Sequence, residues 1–387
     1  MKYRGNLLIL WSTAGLLSFS SLYLQWALPI VISDVGGELY VGAIYSVSYA
    51  LTAIPAIVGG LISDLKGRKF AIILSTLIYA TGASVLAASR TLIALLVAVV
   101  CIMASPSIGS PGVLSMLSES VDERRRGQAF SVLRGVGLAA SAVGSVLLGH
   151  FTEAVGLGLA LAIASALSWA ALLLRLGLRE TRPGGIEAEP ARGFRARILE
   201  ALSGTKYVLL KKMLPFTSMV VITALSDVAS GTYFSLYLKK VMGLRGGEIG
   251  AIYPALAIVK ALFYPLAGRF VDRYGEKLGY IVYFIASATG TGAFLTLSRT
   301  HPWLAVFSLI PAAVLGTVSS TSFTTYVAKM APAEVRGTVY SAYSVITVPF
   351  LAVAPTVGAI LWSISPSGPF VLSIALTLLS IALVLKM

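Results

Sequence analysis

Twelve long, continuously apolar runs decide what this chain can fold into. A helix needs about 20 apolar residues to cross the hydrocarbon core of a bilayer. Runs of that length fall near residues 6–30, 40–62, 70–89, 92–117, 127–150, 155–177, 214–238, 247–267, 278–298, 302–328, 337–361 and 369–385. They are rich in Leu, Ala, Val and Ile and do not alternate with polar residues, so they read as helices and not as barrel strands. Composition agrees. Of 387 residues, 57% are hydrophobic and 12% charged, about half the charge of a soluble domain. So few charges cannot cover a water-soluble surface of this size, which excludes an ordinary globular enzyme, a disordered chain and a nucleic-acid binder. One cysteine (Cys101) and two histidines (His150 and His301) leave no material for a disulfide framework or a metal cluster. The expectation is an all-α membrane protein with no cofactor and no metal. The first run follows Lys2 and Arg4 as a signal peptide would, but its length and Pro29 favour a retained span.

The net charge of +14 is explained by where the basic residues fall. One set of loops holds 23 of the 30 Lys and Arg, including Lys66, Arg68, Lys69, Arg124–Arg126, Arg269, Arg273, Lys277 and nine from Arg175 to Lys212. The opposite loops hold Arg90, Lys239, Lys240, Arg245 and Arg299. Basic residues resist translocation, so the crowded side is expected to be cytoplasmic, with both termini there and the chain in the cytoplasmic membrane. Anionic lipid headgroups are a further expected partner of that face. The polar stretch 178–213 divides the chain into bundles at 1–177 and 214–387, and its second half, about 194–212, reads as a basic surface helix.

The two halves repeat one pattern. Gly60-Leu-Ile-Ser-Asp64-Leu-Lys66-Gly67-Arg68-Lys69 stands between spans 2 and 3, and Gly268-Arg269-Phe-Val-Asp272-Arg273-Tyr-Gly275-Glu276-Lys277 between spans 8 and 9, offset by 208 residues. Arg126-Gly127 and Arg336-Gly337 stand at the next matching loops, offset by 210. Over the whole chain this resembles the major facilitator superfamily, whose hallmark loop reads G-x-x-x-D-(R/K)-x-G-R-(R/K). Departures occur at Leu65 and Glu276. The resemblance implies two pseudo-symmetric six-helix bundles, a monomeric transporter, and a solute path lined by spans 1, 4, 7 and 10. Gly60 and Gly268 are expected to permit close helix approach, and Gly67 and Gly275 a tight turn. Asp64 and Asp272 would cap a helix of the other half as a cytoplasmic latch, with Arg68, Lys69, Arg273 and Lys277 around them. Loop charges that only fix topology are the plainer alternative.

Three charges lie inside spans: Arg134, Asp227 and Lys260. Such charges are costly and by default mark function. Asp227, the one carboxylate near a midplane, is either a proton site or half of a structural pair with Lys260 or Arg134. Lys260 is expected about one turn nearer the cytoplasm, and Arg134 either binds an anion or snorkels. Polar candidates for the solute path are Tyr23, Gln25 and Trp26 in span 1, Ser105 and Ser107 in the proline-interrupted span 4, Tyr233 in span 7, and Ser319, Thr321 and Thr324 in span 10. Trp303 and Trp362 read as interfacial anchors. No G-x-x-x-x-G-K-[ST] loop is present, so energy is expected from a proton gradient and not directly from ATP. The expected partners are a small solute, protons and the bilayer. Efflux of amphipathic compounds is the first reading and uptake of a sugar or organic acid the alternative. A non-transporting receptor or sensor is a competitor from another class.

Overall fold

The computed structural model describes residues 4–181, 213–331 and 336–387. The expected surface helix at 194–212, nearly all of the connecting stretch, and Glu334 before Arg336-Gly337 lie outside the described residues. All regular structure among the described residues is helical. The helices are α1 (Arg4–Gly36), α2 (Glu38–Lys66), α3 (Arg68–Ala88), α4 (Leu92–Glu119), α5 (Arg126–Ala154), α6 (Leu157–Leu176), α7 (Leu214–Lys240), α8 (Gly246–Tyr274) and α9 (Glu276–Leu297). They continue with α10a (Pro302–Phe307), α10b (Ile310–Met330), α11 (Arg336–Ile364) and α12 (Gly368–Leu385). Counting α10a and α10b together, twelve spans among the described residues are long and apolar enough to cross a membrane. Large apolar side chains on their outer faces support that reading: Ile93, Leu262 and Ile364 are 77%, 70% and 78% exposed. A soluble surface would not present so many of them.

Short punctuation separates the helices. Gly67 (φ +104°) starts α3 and Gly275 (φ +82°) starts α9, conformations that side chains with a Cβ rarely adopt. Thr91 caps α4, its hydroxyl accepting from the Ala94 N–H at 3.3 Å. Pro106 and Pro111 are expected to bend or break span 4; α4 runs unbroken, so the break is absent there. It falls in span 10 instead, at Ser308–Leu309. Pro311 lacks the N–H that would bond the Phe307 carbonyl, and α10a ends at that residue.

The repeat is visible in the packing. In the N-terminal half α1 packs on α5 and α6, and α3 on α4 and α6; in the C-terminal half α7 packs on α11 and α12, and α9 on α10b and α12. Each pairing recurs six helices later. Gly137, Ala140, Ser141 and Gly144 form a small-residue stripe on α5 that is one such seam: a Cβ on Gly144 would overlap the Phe19 carbonyl of α1, and one on Gly137 would stand 3.2 Å from Ser18 Oγ. Matching core positions differ in character. Leu7, Leu10, Ile72, Met116 and Leu117 form an aliphatic cluster in the first half. In the second, Phe216 packs against Tyr280, Phe323, Tyr326 and Tyr343.

The chain divides into two compact units that do not follow the midpoint of the sequence. Gly37–Ser46, the start of α2, groups with the C-terminal helices, and Arg245–Pro254, the start of α8, with the N-terminal ones. In the first of these units a Cβ on Gly42 would meet the Ala359 Cβ at 2.6 Å, the Ser46 and Thr356 hydroxyls are 2.8 Å apart, and Lys240 pairs with Glu38 at 2.8 Å. In the other, Ser145 Oγ donates to the Gly250 carbonyl at 2.8 Å and Gly149 faces Gly246.

Candidate functional site

Two of the embedded charges sit level with each other. Asp227 has thirteen residues of α7 on either side, and Lys260 has fourteen residues of α8 on either side. The expected one-turn offset disappears because both helices run longer than the apolar runs that announced them. Both side chains are exposed in the protein, yet neither joins an ion pair among the described residues. They lie close enough to interact electrostatically, and Asp227 also acts on Tyr283 of α9. One helical turn before Asp227, the Thr223 hydroxyl is buried without a hydrogen-bond partner. An Asp or Lys turned to acyl chains at mid-bilayer costs about 2.5–3.5 kcal/mol on insertion scales. A pair of opposite charges, exposed and level, therefore points to a polar opening inside the protein.

One member of the pair, Lys260, borders a largely apolar opening whose wall does not include Asp227. A cavity of about 240 Å³ lies within the C-terminal unit, lined by Ser230 and Phe234 of α7, Lys260 of α8, Tyr283 and Phe294 of α9, and Phe370 of α12 among others. Asp227, Ser230, Gly231 and Phe234 follow one another at helical spacing on α7. Leu309, at the break in span 10, forms part of the wall. Irregular backbone at membrane depth is tolerated where it is buried in protein or lines a cavity. The third embedded charge, Arg134, belongs to the other unit, eight residues into α5, and is exposed without an ion pair among the described residues.

The remaining cavity candidates separate clearly. Tyr23 is fully buried with its hydroxyl 2.7 Å from Thr152 Oγ1, and Trp26 donates from Nε1 to Ser145 Oγ at 3.0 Å. Tyr233 is buried, donates to the Pro355 carbonyl at 3.1 Å and stacks on Trp362, itself buried and not an interfacial anchor. Ser105 donates to the Ser75 carbonyl at 2.8 Å, inside the packed interior. These four hold helices together. Ser107 is half-buried, and its carbonyl abuts Gly59 of α2. Gln25 and Thr324 are exposed, and Ser319 and Thr321 half-buried; the Thr321 and Thr324 hydroxyls donate to carbonyls of their own helix.

The first hallmark loop forms a dense network and the second, among the described residues, a single ion pair. Arg68 Nη1 donates to Asp64 Oδ1 at 2.5 Å and Ser63 Oγ at 3.1 Å, while Arg68 Nε lies 3.4 Å from Glu119 Oε1 at the end of α4. Lys69 Nζ donates to the Leu176 carbonyl at 2.8 Å. The acid that caps a helix here is Glu180, whose carboxylate accepts from the backbone N–H groups of Arg68 and Lys69, each at 3.0 Å. In the second copy Gly268 has no atom within 4 Å of where its Cβ would stand, so close approach is not its role; in the first copy Gly59, beside Gly60, packs directly on the Ser107 backbone of α4. Asp272, Arg273 and Lys277 are exposed. Glu276 instead pairs with Lys329 of α10b, at 2.8 and 2.9 Å. Glu276 is the counterpart of Arg68, and Lys329 that of Glu119, so the same bridge recurs with its charges reversed.

One buried charge escaped the sequence reading, which counted Arg175 among loop cations. It is 6% exposed, one residue from the end of α6. Its Nε donates to Thr13 Oγ1 at 3.0 Å and its Nη1 to Thr76 Oγ1 at 2.6 Å, with no ion pair among the described residues. Both threonine hydroxyls donate onward to carbonyls of their own helices.

Repeated helix pairings and membrane-length spans define a multi-pass membrane protein. The family model described as Major Facilitator Superfamily matches residues 10–348 and again 216–387, and the chain belongs to that family. It is a transporter and not an enzyme. The same fold is found in solved structures. The nucleoside transporter NupG aligns with a TM-score of 0.76 at 15% identity, covering 99% of this chain and 97% of its own. The peptide transporter POT in complex with sulfate gives 0.75 at 16%, covering 99% and 93%. A POT family transporter in complex with 5-aminolevulinic acid gives 0.73 at 14%, covering 99% and 95%. Among curated proteins no sequence relative matches.

Proposed function

We propose that the chain is a secondary active transporter of the cytoplasmic membrane, moving a small organic solute by alternating access with proton coupling at Asp227. Its termini and the 178–213 connection are cytoplasmic in this reading, supported by the 23 basic residues on that side. The carrying observation is the level, exposed and unbridged pair Asp227 and Lys260. An ionised Asp227 offsets the Lys260 field. Protonation from water removes that offset and leaves one net positive charge beside the cavity. The Arg68–Asp64–Glu119 network supports a part for the first hallmark loop in the cytoplasmic gate. An organic acid is favoured over a sugar as the solute by the cation in the cavity wall.

The test uses proteoliposomes holding the full-length protein, a panel of labelled organic acids and sugars, and an imposed pH gradient. Asp227→Asn is expected to reduce gradient-driven accumulation to simple equilibration while leaving solute exchange intact. Accumulation equal to that of the unmodified protein would overturn the assignment of the proton to Asp227.

A further inference from the structure

The C-terminal cavity specifies the chemistry of what enters it. Its wall carries one cation, Lys260, and no carboxylate, with hydroxyls from Ser230, Tyr283 and Thr291. The rest is apolar, with Phe234, Phe294 and Phe370 as its rings. Its volume of about 240 Å³ equals that of roughly eight waters at about 30 Å³ each, enough for a single-ring solute and far too small for a phospholipid. Lys260 is exposed and has no carboxylate within ion-pair distance among the described residues, so its charge is available.

We propose that this cavity is the binding site for a small organic monoanion, whose carboxylate sits on Lys260 and whose apolar body lies among Phe234, Phe294 and Phe370. The inference rests on the transporter reading above and deepens it by fixing the solute's charge, its apolar body and the residues that hold each. A charge-assisted hydrogen bond to Lys260 holds the carboxylate. The aromatic wall removes the body from water, as small-molecule sites generally do. The same arrangement sets the coupling rule. Solute carboxylate and Asp227 carboxylate compete for one ammonium group, so the anion binds best when Asp227 carries the proton. Lys260 from α8 is the charged group that acts on Asp227, and Asp227 in turn acts on Tyr283 from α9. Of the other helices packed on α7, α11 has no charged residue after Arg336 and α12 none within its span.

Titration calorimetry on the purified full-length protein tests the site with benzoate, its neutral isostere benzamide, and the variants Lys260→Met and Lys260→Arg. Benzoate is expected to bind saturably and benzamide at least about tenfold more weakly. Lys260→Met should weaken benzoate by a similar factor, and Lys260→Arg should restore it. Equal affinity for benzamide, or benzoate binding untouched by Lys260→Met, would overturn the proposal. So would the absence of saturable benzoate binding, even if a pH gradient still drove accumulation of another solute. Repeating the titration at pH 6 and pH 8 separates the two readings, because benzoate is ionised at both. Tighter binding at pH 6, with Asp227→Asn equally tight at both, supports site and coupling together. Lys260-dependent binding that ignores pH supports the site and removes the proton from Asp227.

Discussion

Each half of the molecule carries a cation on a membrane-length helix, and the two are held in opposite ways. Arg175 is buried, and two threonine hydroxyls from α1 and α3 accept from its guanidinium. Lys260 is exposed at mid-span, lines a cavity and has no carboxylate bridged to it among the described residues. The contrast separates a structural charge from a working one. Arg175 gains from a helix C-terminus and from hydroxyls whose own protons are already spent on carbonyls. Nothing about that arrangement invites a ligand. Lys260 has only a carboxylate at a distance and a space beside it, so a solute can complete its coordination.

Reversing each charge tests the contrast most severely. Arg175→Glu places a buried carboxylate against hydroxyls committed to other acceptors, so it is expected to destabilise the N-terminal helices by at least about 3 kcal/mol. Lys260→Glu, facing an open cavity, is expected to lower the thermal midpoint far less while abolishing anion binding. Unfolding of both variants in detergent, followed by intrinsic fluorescence, checks the pair. Equal destabilisation would erase the distinction drawn here. Arg175→Met sharpens it: the threonines keep their donor bonds, so the expected loss is about 1 kcal/mol.

This pair also shows what the sequence could and could not reveal. Twelve spans, the repeat and the presence of charges inside α7 and α8 are properties of composition and spacing, and they were legible; that Asp227 and Lys260 share the middle of their helices was not, because the helices outrun the apolar runs. Arg175 was misread because it stands one residue from a helix end in a run of cytoplasmic cations. Only the approach of Thr13 and Thr76 reveals its burial. Tyr23, Trp26 and Tyr233 failed as cavity walls for a related reason: spacing gives the helix but not its rotation, and rotation turns these rings inward. The unbroken α4 and broken α10 show a further gap. Pro106 and Pro111 signal strain, but the neighbouring packing decides whether the helix yields.

The hallmark loops extend the comparison to the crowded basic face. Arg68–Glu119 and Glu276–Lys329 occupy equivalent positions with opposite polarity, so symmetry preserves the bridge and not the sign. Glu276→Lys brings two ammonium groups together and is expected to cost about 1 kcal/mol, a modest figure because Lys329 is 63% exposed. Adding Lys329→Glu rebuilds the pair in the polarity that the first half uses, and the thermal midpoint should recover. Failure of the double reversal would mean that the surroundings of Glu276 select a sign.

The smallest expected effect concerns how each half caps the helix that follows its hallmark loop. α9 has its own acid, Glu276, in its first turn, whereas α3 begins Arg-Lys and borrows Glu180 from beyond α6. The borrowed cap ties the root of the connecting stretch to the loop, beside Asn6, which clasps the Arg179 backbone at 2.8 and 2.9 Å. Glu180→Gln keeps the shape and removes the charge, so stability should fall by only about 0.5–1 kcal/mol. The local signal should be larger than the global one: hydrogen exchange at the Arg68 and Lys69 amides should quicken, while the first turn of α9 is unchanged. Exchange rising equally at both helix starts would show that the cap acts through the whole molecule and not through the α3 terminus.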